Sequence, residues 1–263
     1  MSTSVPEMTG TGRMAYRAPF EHLREASDAR LLLVCDHASN AVPEAYGSLG
    51  LPASSFTRHI AYDLGVHALV HALSERLNAP AVLAGFSRLL IDPNRGEDDP
   101  TLVMRLSDGE IIPGNAAADA SEIKKRLTSF HRPYHTAVDH ALDRALRAGL
   151  SPTLLSVHSF TPAWRGRARP WHCGILWWRD RPTADFCLGY LRGMRDLVVG
   201  DNEPYSGELE GDSMDRHGTK RGIWHVLIEI RQDLLEKEAG IGEWAERLAP
   251  MLSQLAARAQ HHT

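Results

Sequence analysis

The chain has 263 residues, of which 43% are apolar and 24% are charged, and its formal net charge is −4. This composition is typical of a globular protein with a sizeable core. It argues against a nucleic-acid-binding protein, which would need a basic face, and no apolar run reaches the ~18 residues of a membrane span. Three cysteines without a CxxC pair, and a polar first segment without a secretory signal, predict a cytoplasmic protein.

The first part of the chain divides into an arm and the start of a folded domain. Residues 1–28 have little periodicity and are predicted to form an N-terminal arm, and residues 29–263 are predicted to form a single domain. Short apolar runs and one helical periodicity follow the arm, predicting strands at 31–36, 81–84 and 89–92 and a helix at 63–78.

The second part continues the alternation of strands and helices. The longest helical pattern covers residues 121–148, begins with Ser121 as its predicted N-cap and is interrupted by Pro133. The stretches 96–120 and 200–222 lack periodicity and are predicted to be surface segments. The other predicted elements are strands at 154–158, 173–178, 198–199 and 224–231 and helices at 183–195 and 241–259. This alternation predicts an α/β fold with a mostly parallel sheet covered on both faces.

Three of the predicted strands deliver polar side chains at or near their carboxyl ends. His37 and His158 each follow a buried apolar run, and Glu229 lies inside a third run. Because ligands collect at the carboxyl ends of strands in open α/β sheets, we expect these side chains to converge on one metal ion. For the histidines the alternative is a structural, hydrogen-bonded role. For Glu229 the alternatives are general base in hydrolysis and an ion pair with Arg231, which shares its strand face.

A second group of candidates surrounds the predicted strand at 89–92. Arg88, Asn94 and Arg95 lie in the sequence Ser87-Arg88-Leu89-Leu90-Ile91-Asp92-Pro93-Asn94-Arg95. Because the guanidinium group binds carboxylates through two parallel hydrogen bonds, these residues are predicted to bind an acidic substrate. Asp92 is placed to hold one of the arginines. The alternative is a set of solvated surface charges.

Three further residues are predicted to belong to the site. Asp63 is placed either to cap the helix at 63–78 or to support His37 as a metal ligand or its hydrogen-bond partner. Asn202 and His217 belong to the polar segment 200–222, which we expect to close over substrate as a lid.

In order along the chain, His37-Ala38-Ser39-Asn40, Ser87-Arg88 with Asp92-Pro93-Asn94-Arg95, Ser156-Val157-His158-Ser159 and Glu229-Ile230-Arg231 resemble the N-formylglutamate amidohydrolase family. The resemblance implies a zinc carboxypeptidase-like fold, with three α/β/α layers around a mixed, mostly parallel sheet. It implies Zn²⁺ or another divalent metal held by His37 and His158, a substrate carboxylate bound by Asn94 and Arg95, and Glu229 as base.

The resemblance leaves the third metal ligand open. In zinc carboxypeptidases this ligand is the glutamate of an HxxE motif, and the corresponding residue here is Asn40. An amide oxygen is a poorer zinc ligand than a carboxylate, so the candidates are Asn40, Asp36 and Asp63.

The first functional hypothesis is a metal-dependent amidohydrolase that cleaves an N-formyl or other N-acyl group from an amino acid such as N-formylglutamate, with Arg95 and Arg88 neutralising the oxyanion or binding the carboxylate. The second is a peptidase-like deacylase of another N-acyl substrate. The third is a metal-free small-molecule binding protein on the same scaffold. A nucleophilic Ser159 or Cys35 is a fourth route, although neither lies in a GxSxG elbow. The acyl group and the oligomeric state are not determined by the sequence.

Overall fold

The computed structural model describes residues 8, 12–27 and 29–260. Seven strands form the central sheet and four short strands form two hairpins. In chain order the strands are β1 (Phe20–Leu23), β2 (Leu31–Cys35), β3 (Ala81–Ala84), β4 (Leu106–Ser107), β5 (Glu110–Ile111), β6 (Thr153–Phe160), β7 (Ala163–Trp164), β8 (Arg167–Ala168), β9 (Cys173–Leu176), β10 (Val199–Asp201) and β11 (Trp224–Arg231).

The central sheet has the strand order β1-β3-β2-β6-β11-β9-β10. Its middle strands β3, β2, β6 and β11 are parallel, whereas β1 pairs antiparallel with β3 and β9 pairs antiparallel with β11. The sheet is therefore mixed and mostly parallel, as predicted. The carboxyl ends of β2, β6 and β11 lie together at one edge, which is where the chemistry of an open α/β sheet is expected.

Seven α-helices of the described residues surround the sheet: α1 (Val66–Leu77), α2 (Pro113–Ala116), α3 (Ala120–Arg126), α4 (Arg132–Arg147), α5 (Arg181–Arg192), α6 (Ser213–His217) and α7 (Glu238–Ala259). A π-helical turn, Leu127–His131, joins α3 to α4. No helix in the described part of the chain combines the length and the apolar character needed to cross a membrane.

Side-chain alternation along the strands produces two separate cores. On β2, Leu31, Leu33 and Cys35 face the core shared with α1, α5 and α7, while Leu32 and Val34 face the core shared with α4. Each fully buried aliphatic side chain contributes about 1.5–3 kcal/mol to folding. The three-layer α/β/α arrangement predicted from the sequence is therefore confirmed, with one hydrophobic core on each face of the sheet.

The structure differs from the predicted elements in four places. Residues 20–23, assigned to the arm, form the edge strand β1, whereas arm residues 1–7, 9–11 and 28 lie outside the described residues. Residues 89–92 are buried but form turns and loop rather than a strand, because they lie under the loops of the second core. The helix expected at 121–148 is divided, and Asp119, not Ser121, caps α3. The segment 200–222 contains the short helix α6.

Candidate active site

His37, Asp63 and His158 come together beyond the carboxyl ends of β2 and β6. His37 follows β2, His158 lies near the end of β6, and Asp63 precedes α1. Each offers one nitrogen or oxygen atom, and the three atoms lie within 4.8 Å of one another. All three side chains are buried. Of the three candidates for the third ligand, Asp63 is the residue that the fold brings between the two imidazoles.

The imidazole of His37 is held from one side by Asp92. Its Nε2 lies 2.7 Å from Asp92 Oδ1, so the ring donates its Nε2 proton to the carboxylate. Its Nδ1 faces Asp63, 3.5 Å from Oδ2, and is a buried atom without a hydrogen-bond partner among the described residues. The ring therefore turns Nδ1 toward Asp63 without a hydrogen bond between them. A histidine anchored by a carboxylate in this way is typical of metal ligands.

His158 repeats this arrangement with a different carboxylate. Its Nε2 lies 3.1 Å from Asp36 Oδ2 and 2.9 Å from Ser156 Oγ, and its Nδ1 lies 2.9 Å from Asp63 Oδ2. The two rings are 4.9 Å apart between centroids and nearly perpendicular. Both histidines therefore have Nε2 anchored to a buried acid and Nδ1 directed at the same carboxylate.

The electrostatics keep the acids of this cluster ionised. Burial alone would raise the pKa of Asp63, but the neighbouring His37 and His158 outweigh it and hold that pKa well below its usual value. Burial likewise opposes ionisation of Asp36, whose pKa His158 nonetheless lowers. For His158, burial is outweighed by Asp36 and Asp63, which raise the pKa of its ring.

The cluster fits a divalent cation on the evidence of its own atoms. Two imidazole nitrogens and one carboxylate form the donor set of many catalytic zinc sites. His37 Nδ1 and Asp63 Oδ1 are both buried without a hydrogen-bond partner in the described residues, and an unsatisfied buried polar atom is costly. A cation held by His37, Asp63 and His158 would satisfy the His37 atom.

Glu229 lies beside this cluster because of the strand register. In the parallel pair β6–β11, Glu229 is aligned with His158. Burial raises the pKa of Glu229 to about 8, with Asp63 adding to the effect and His158 opposing it. Its Oε2 is buried without a hydrogen-bond partner in the described residues. Arg231 instead pairs with Asp233 at 2.8 Å, so the alternative of a Glu229–Arg231 ion pair is wrong.

The segment around Asp92 carries the predicted cationic residues. Arg88 Nη2 lies 2.8 Å from Asp92 Oδ2, and Arg88 Nη1 lies 3.9 Å from Asp63 Oδ1. Arg95 Nη1 donates to Asn94 O, and Asn94 Oδ1 accepts from the backbone N–H of Ser213. Asp92 thus connects His37 with Arg88. The sequence had suggested that it holds one of the arginines.

The π-helical turn Leu127–His131 and α4 support the backbone of this segment. His131 Nε2 lies 2.9 Å from Arg95 O, and His135 Nε2 lies 2.9 Å from Pro93 O. Both carbonyls accept, so each histidine donates its Nε2 proton. The two histidines therefore support the Pro93–Arg95 segment and do not face the site.

A cavity of about 280 Å³ opens over these residues. Its walls combine the metal-ligating candidates, the arginine segment, Glu229 and part of the 200–222 segment: His37, His59, Asp63, Arg88, Asn94, Arg95, His158, Ser159, Leu176, Tyr205, Ser206, Gly207, Leu209, Asp212, Leu227 and Glu229. The predicted residues Arg88, Asn94, Arg95 and Glu229 therefore share one cavity with the cluster.

Among the cavity residues that the sequence did not indicate are one imidazole, His59, and one carboxyl, Asp212. His59 Nδ1 lies 3.4 Å from Asp63 Oδ1, and burial lowers the pKa of this histidine to about 4. Burial raises the pKa of Asp212 to about 7. The four-residue spacing between His59 and Asp63 was the only available signal for the first. Asp212 lies in a segment without periodicity, so no pattern marked it.

Asn40 is not a metal ligand in this arrangement, which corrects one prediction. Its Nδ2 donates to Phe56 O at 2.7 Å and to Gly12 O at 3.2 Å, and its Oδ1 accepts from Met14 N at 2.7 Å. Donors and acceptor are engaged by backbone groups, and the side chain does not line the cavity. Asn40 instead attaches the N-terminal segment to the domain.

Two predicted substrate-binding residues also lie elsewhere. Asn202 Oδ1 accepts from the backbone N–H groups of Trp177 and Gly207, so its amide organises a loop without lining the cavity. His217 is fully buried between His135, 2.8 Å from its Nε2, and Asp139, 3.0 Å from its Nδ1. Both predictions were wrong because a polar segment without periodicity gives no indication of which side chains point inward.

The structure argues against a nucleophilic serine or cysteine. Ser159 Oγ donates to Leu64 O at 2.9 Å, which occupies its proton. Cys35 is fully buried, and burial raises the pKa of its thiol well above the usual value, with Asp63 and Asp36 adding to the effect. A thiol without a thiolate fraction is a poor nucleophile.

Comparison with known proteins assigns this site to a family. The N-formylglutamate amidohydrolase family profile matches residues 29–236. An N-formylglutamate deformylase from Pseudomonas putida is 28% identical over 191 residues, covering 66% of this chain and 70% of that protein. The solved structure of gene product Atu2144 from Agrobacterium tumefaciens is 33% identical, with a TM-score of 0.88 over 92% of this chain and 96% of that chain.

The N-formylglutamate amidohydrolase from Ralstonia eutropha JMP134, at 23% identity, shares the fold with a TM-score of 0.68 over 94% of this chain and 100% of that chain. The family match spans most of the chain and includes the metal-ligating candidates and Glu229. The protein is therefore an amide hydrolase that belongs to the N-formylglutamate amidohydrolase family.

Proposed function

We propose that this enzyme removes the formyl or another small acyl group from an N-acyl amino acid such as N-formylglutamate, and that it needs a divalent metal ion, Zn²⁺, to do so. The observation that carries the proposal is the pair of Nδ1 atoms, on His37 and His158, directed at Asp63 beside a buried glutamate. The deformylase relative from Pseudomonas putida supports the substrate class.

His37, Asp63 and His158 would hold the cation. When bound, it would polarise the carbonyl of the scissile amide and make an attacking water more acidic. Asp92 and Asp36 accept from the Nε2 atoms of the two rings, so each Nδ1 would bind the cation once any proton on it is lost. Because both rings are anchored through Nε2, two histidines from different strands can direct their Nδ1 atoms at one cation.

Glu229 is proposed as the general base. Its unpartnered Oε2 accepts a proton from water and returns it to the leaving nitrogen. Burial raises the pKa of this carboxyl, which makes its carboxylate form a stronger base than that of an ordinary glutamate.

The two arginines are proposed to have different roles. Arg88 is the one that reaches the cluster, 3.9 Å from Asp63, so it is suited to stabilise the charge that develops on the carbonyl oxygen. Arg95 and Asn94 lie on the same segment and line the cavity, where they would bind the carboxylate of the amino acid. The role of Asn94 and Arg95 is the one that the family resemblance implies.

The acyl group separates this proposal from a deacylase of other substrates. Competition between N-formyl and N-acetyl forms of one amino acid in a single assay distinguishes the two. We expect the formyl compound to be hydrolysed faster. Cytoplasmic action is part of the same proposal, since Cys35, Cys173 and Cys187 are free thiols, as is common in a reducing compartment.

Glu229→Gln tests the assigned base. We expect turnover of N-formylglutamate to fall by about 10²–10⁴-fold, because a general base contributes a factor of this size, with zinc content unchanged. Glu236→Gln, an exposed acid just beyond β11, serves as the matched control and should retain full activity. A Glu229→Gln enzyme as active as the wild type would show that another group takes the proton.

A further inference from the structure

A second cluster of metal-binding side chains lies at the edge of the sheet, outside the cavity. Glu21 is on the edge strand β1, and His67 and His71 are four residues apart on α1. Strand alternation directs Glu21 to the face that also carries Leu23, which packs in the core shared with α1. Helical spacing puts both imidazoles on the side of α1 that faces this strand.

The distances within this cluster are those of ligands around one ion. His67 Nε2 lies 3.0 Å from Glu21 Oε2, and His71 Nε2 lies 3.1 Å from Glu21 Oε1. One atom from each residue falls within 4.8 Å of the others. With zinc–nitrogen and zinc–oxygen bonds of about 2.0–2.2 Å, tetrahedral ligands are about 3.4 Å apart. The two nitrogen–oxygen distances are therefore within a few tenths of an ångström of those around a bound cation.

The charges of the three groups also fit a cation. The two rings are 4.4 Å apart between centroids and tilted by 31°, so simultaneous protonation would place two positive charges side by side. Burial opposes ionisation of Glu21, but the neighbouring His67 and His71 outweigh it and hold the pKa of this carboxyl below its usual value. A carboxylate between two closely spaced imidazoles is a negative site with two nitrogen donors.

One atom distinguishes this cluster from a satisfied ion-pair network. His71 Nε2 is buried and has no hydrogen-bond partner among the described residues, although Glu21 Oε1 is only 3.1 Å away. The nitrogen is thus close to the carboxylate without the direction that a hydrogen bond requires. A cation bound between the three side chains does not require hydrogen-bond alignment between Glu21 and His71. It would give His71 Nε2 a partner.

We propose that Glu21, His67 and His71 form a second binding site for a divalent transition-metal ion, separate from the cavity. Two imidazoles and one carboxylate favour Zn²⁺, Ni²⁺ or Cu²⁺ over Mg²⁺ and Ca²⁺, which prefer oxygen ligands. The side chains are partly exposed, 16% for each histidine and 39% for Glu21, so water can complete the coordination.

The bound ion would connect two elements far apart in sequence. β1 is the edge strand and pairs with β3 alone in the described sheet, while α1 packs on the neighbouring core. A metal ion bridging them binds the folded chain and not the unfolded one, so it stabilises the fold by mass action. The ion therefore acts as a clamp on the edge of the sheet and takes no part in amide hydrolysis.

Zinc titration of the chelator-treated full chain tests this proposal. We expect the double variant His67→Gln/His71→Gln to bind one equivalent less zinc than the wild type, and to lose part of the zinc-dependent rise in melting temperature. Amide hydrolysis should be unchanged. His140→Gln, an exposed histidine on α4, is the matched control and should bind as the wild type does. The terminal residues His261 and His262 are common to all these proteins.

The result is independent of the proposed catalytic metal. If the cavity binds no zinc, the double variant still loses one equivalent relative to the wild type, and the proposal stands. Equal zinc stoichiometry and equal thermal shifts in the double variant and the wild type overturn it. Should the double variant fold poorly, Glu21→Gln replaces it: a tenfold or greater loss of affinity at one site supports the proposal, and unchanged affinity refutes it.

Discussion

At the scale of single residues, the site depends on which nitrogen of each histidine is anchored. Asp92 and Asp36 accept from the Nε2 atoms of His37 and His158, and this leaves both Nδ1 atoms facing Asp63. The sequence indicated the histidines, because each follows an apolar run. It left Asp36, Asp63 and Asn40 as candidates for the third ligand. The path of the chain after β2 decides which of them reaches the two imidazoles, and no local pattern records that path.

Asn40 provides a prediction at this scale. Replacing it by Ala removes three hydrogen bonds to Phe56, Gly12 and Met14, so the free energy of unfolding should fall by about 2–4 kcal/mol. Zinc affinity should not change. Urea unfolding and zinc titration of the variant measure the two quantities.

Asn40→Asp and Asn115→Ala sharpen this test. A carboxylate at position 40 would strengthen zinc binding if the residue were a ligand, whereas a structural amide loses two donors and the variant is only less stable. Asn115 is another buried amide whose Nδ2 donates to backbone carbonyls, of Leu89 and Met104. Its alanine variant should lose stability in the same way. Tighter zinc binding by Asn40→Asp would restore Asn40 as a ligand.

At the scale of elements, periodicity predicted helices and sheet strands well and polar segments poorly. α1 and β11 were identified because their apolar residues recur at the helical spacing and in a continuous buried run. Residues 89–92 show the limit: an apolar run was interpreted as a strand, although burial under loops makes the same pattern. The roles of Asn202 and His217 depend on long-range contacts that no local pattern records.

The loop that follows β10 gives a prediction at the element scale. Asn202 has a positive φ of 53°, and its Oδ1 accepts from Trp177 N and Gly207 N, which shapes the Tyr205–Leu209 wall of the cavity. Asn202→Gly keeps the backbone conformation and removes these bonds, worth about 1 kcal/mol each. We expect KM to rise by about 5- to 30-fold and kcat to change less.

Steady-state kinetics of this variant needs a matched control. Asn78→Gly also replaces an asparagine with a positive φ, of 48°, at the end of α1 and outside the cavity wall. Its KM should equal that of the wild type. An Asn202→Gly enzyme with an unchanged KM would mean that the loop keeps its shape without the amide.

At the scale of the whole molecule, the strand order brings distant segments to one edge. Parallel pairing of β2, β6 and β11 places residues from positions 37, 158 and 229 within one cavity. The alternation of strands and helices allowed this sheet to be predicted. The antiparallel edge strand β1 was missed, because a four-residue strand in a polar segment has too little pattern to be recognised.

The pH dependence of the free energy of unfolding should reveal the ionisation of the buried Asp212. Its pKa of about 7 in the folded chain exceeds the ~3.9 of an unfolded aspartate. The folded state therefore binds this proton more tightly, and the contribution to stability is lost as the pH rises through 7. Asp212→Asn keeps the N-cap of α6, so its free energy of unfolding relative to the wild type should increase between pH 5 and 8.

Asp215→Asn is the matched control, because the pKa of Asp215 is shifted in the opposite direction. Burial would raise the pKa of Asp215, but Lys220 and the N–H of Gly211 lower it, so this carboxylate already contributes fully above about pH 5. Its difference from the wild type should be flat over the same range. Urea unfolding in the presence of a chelator measures both, and a flat profile for Asp212→Asn would show that Asp212 is ionised throughout.

Diffraction at the zinc absorption edge, on crystals of the zinc-loaded active enzyme, tests most directly whether His37, Asp63 and His158 share one cation. We predict an anomalous peak between these three side chains, within about 2.0–2.2 Å of each ligand atom, with Glu229 beside it. A fully active enzyme whose crystals show no peak at that position would contradict the assignment of this cluster as the catalytic metal site.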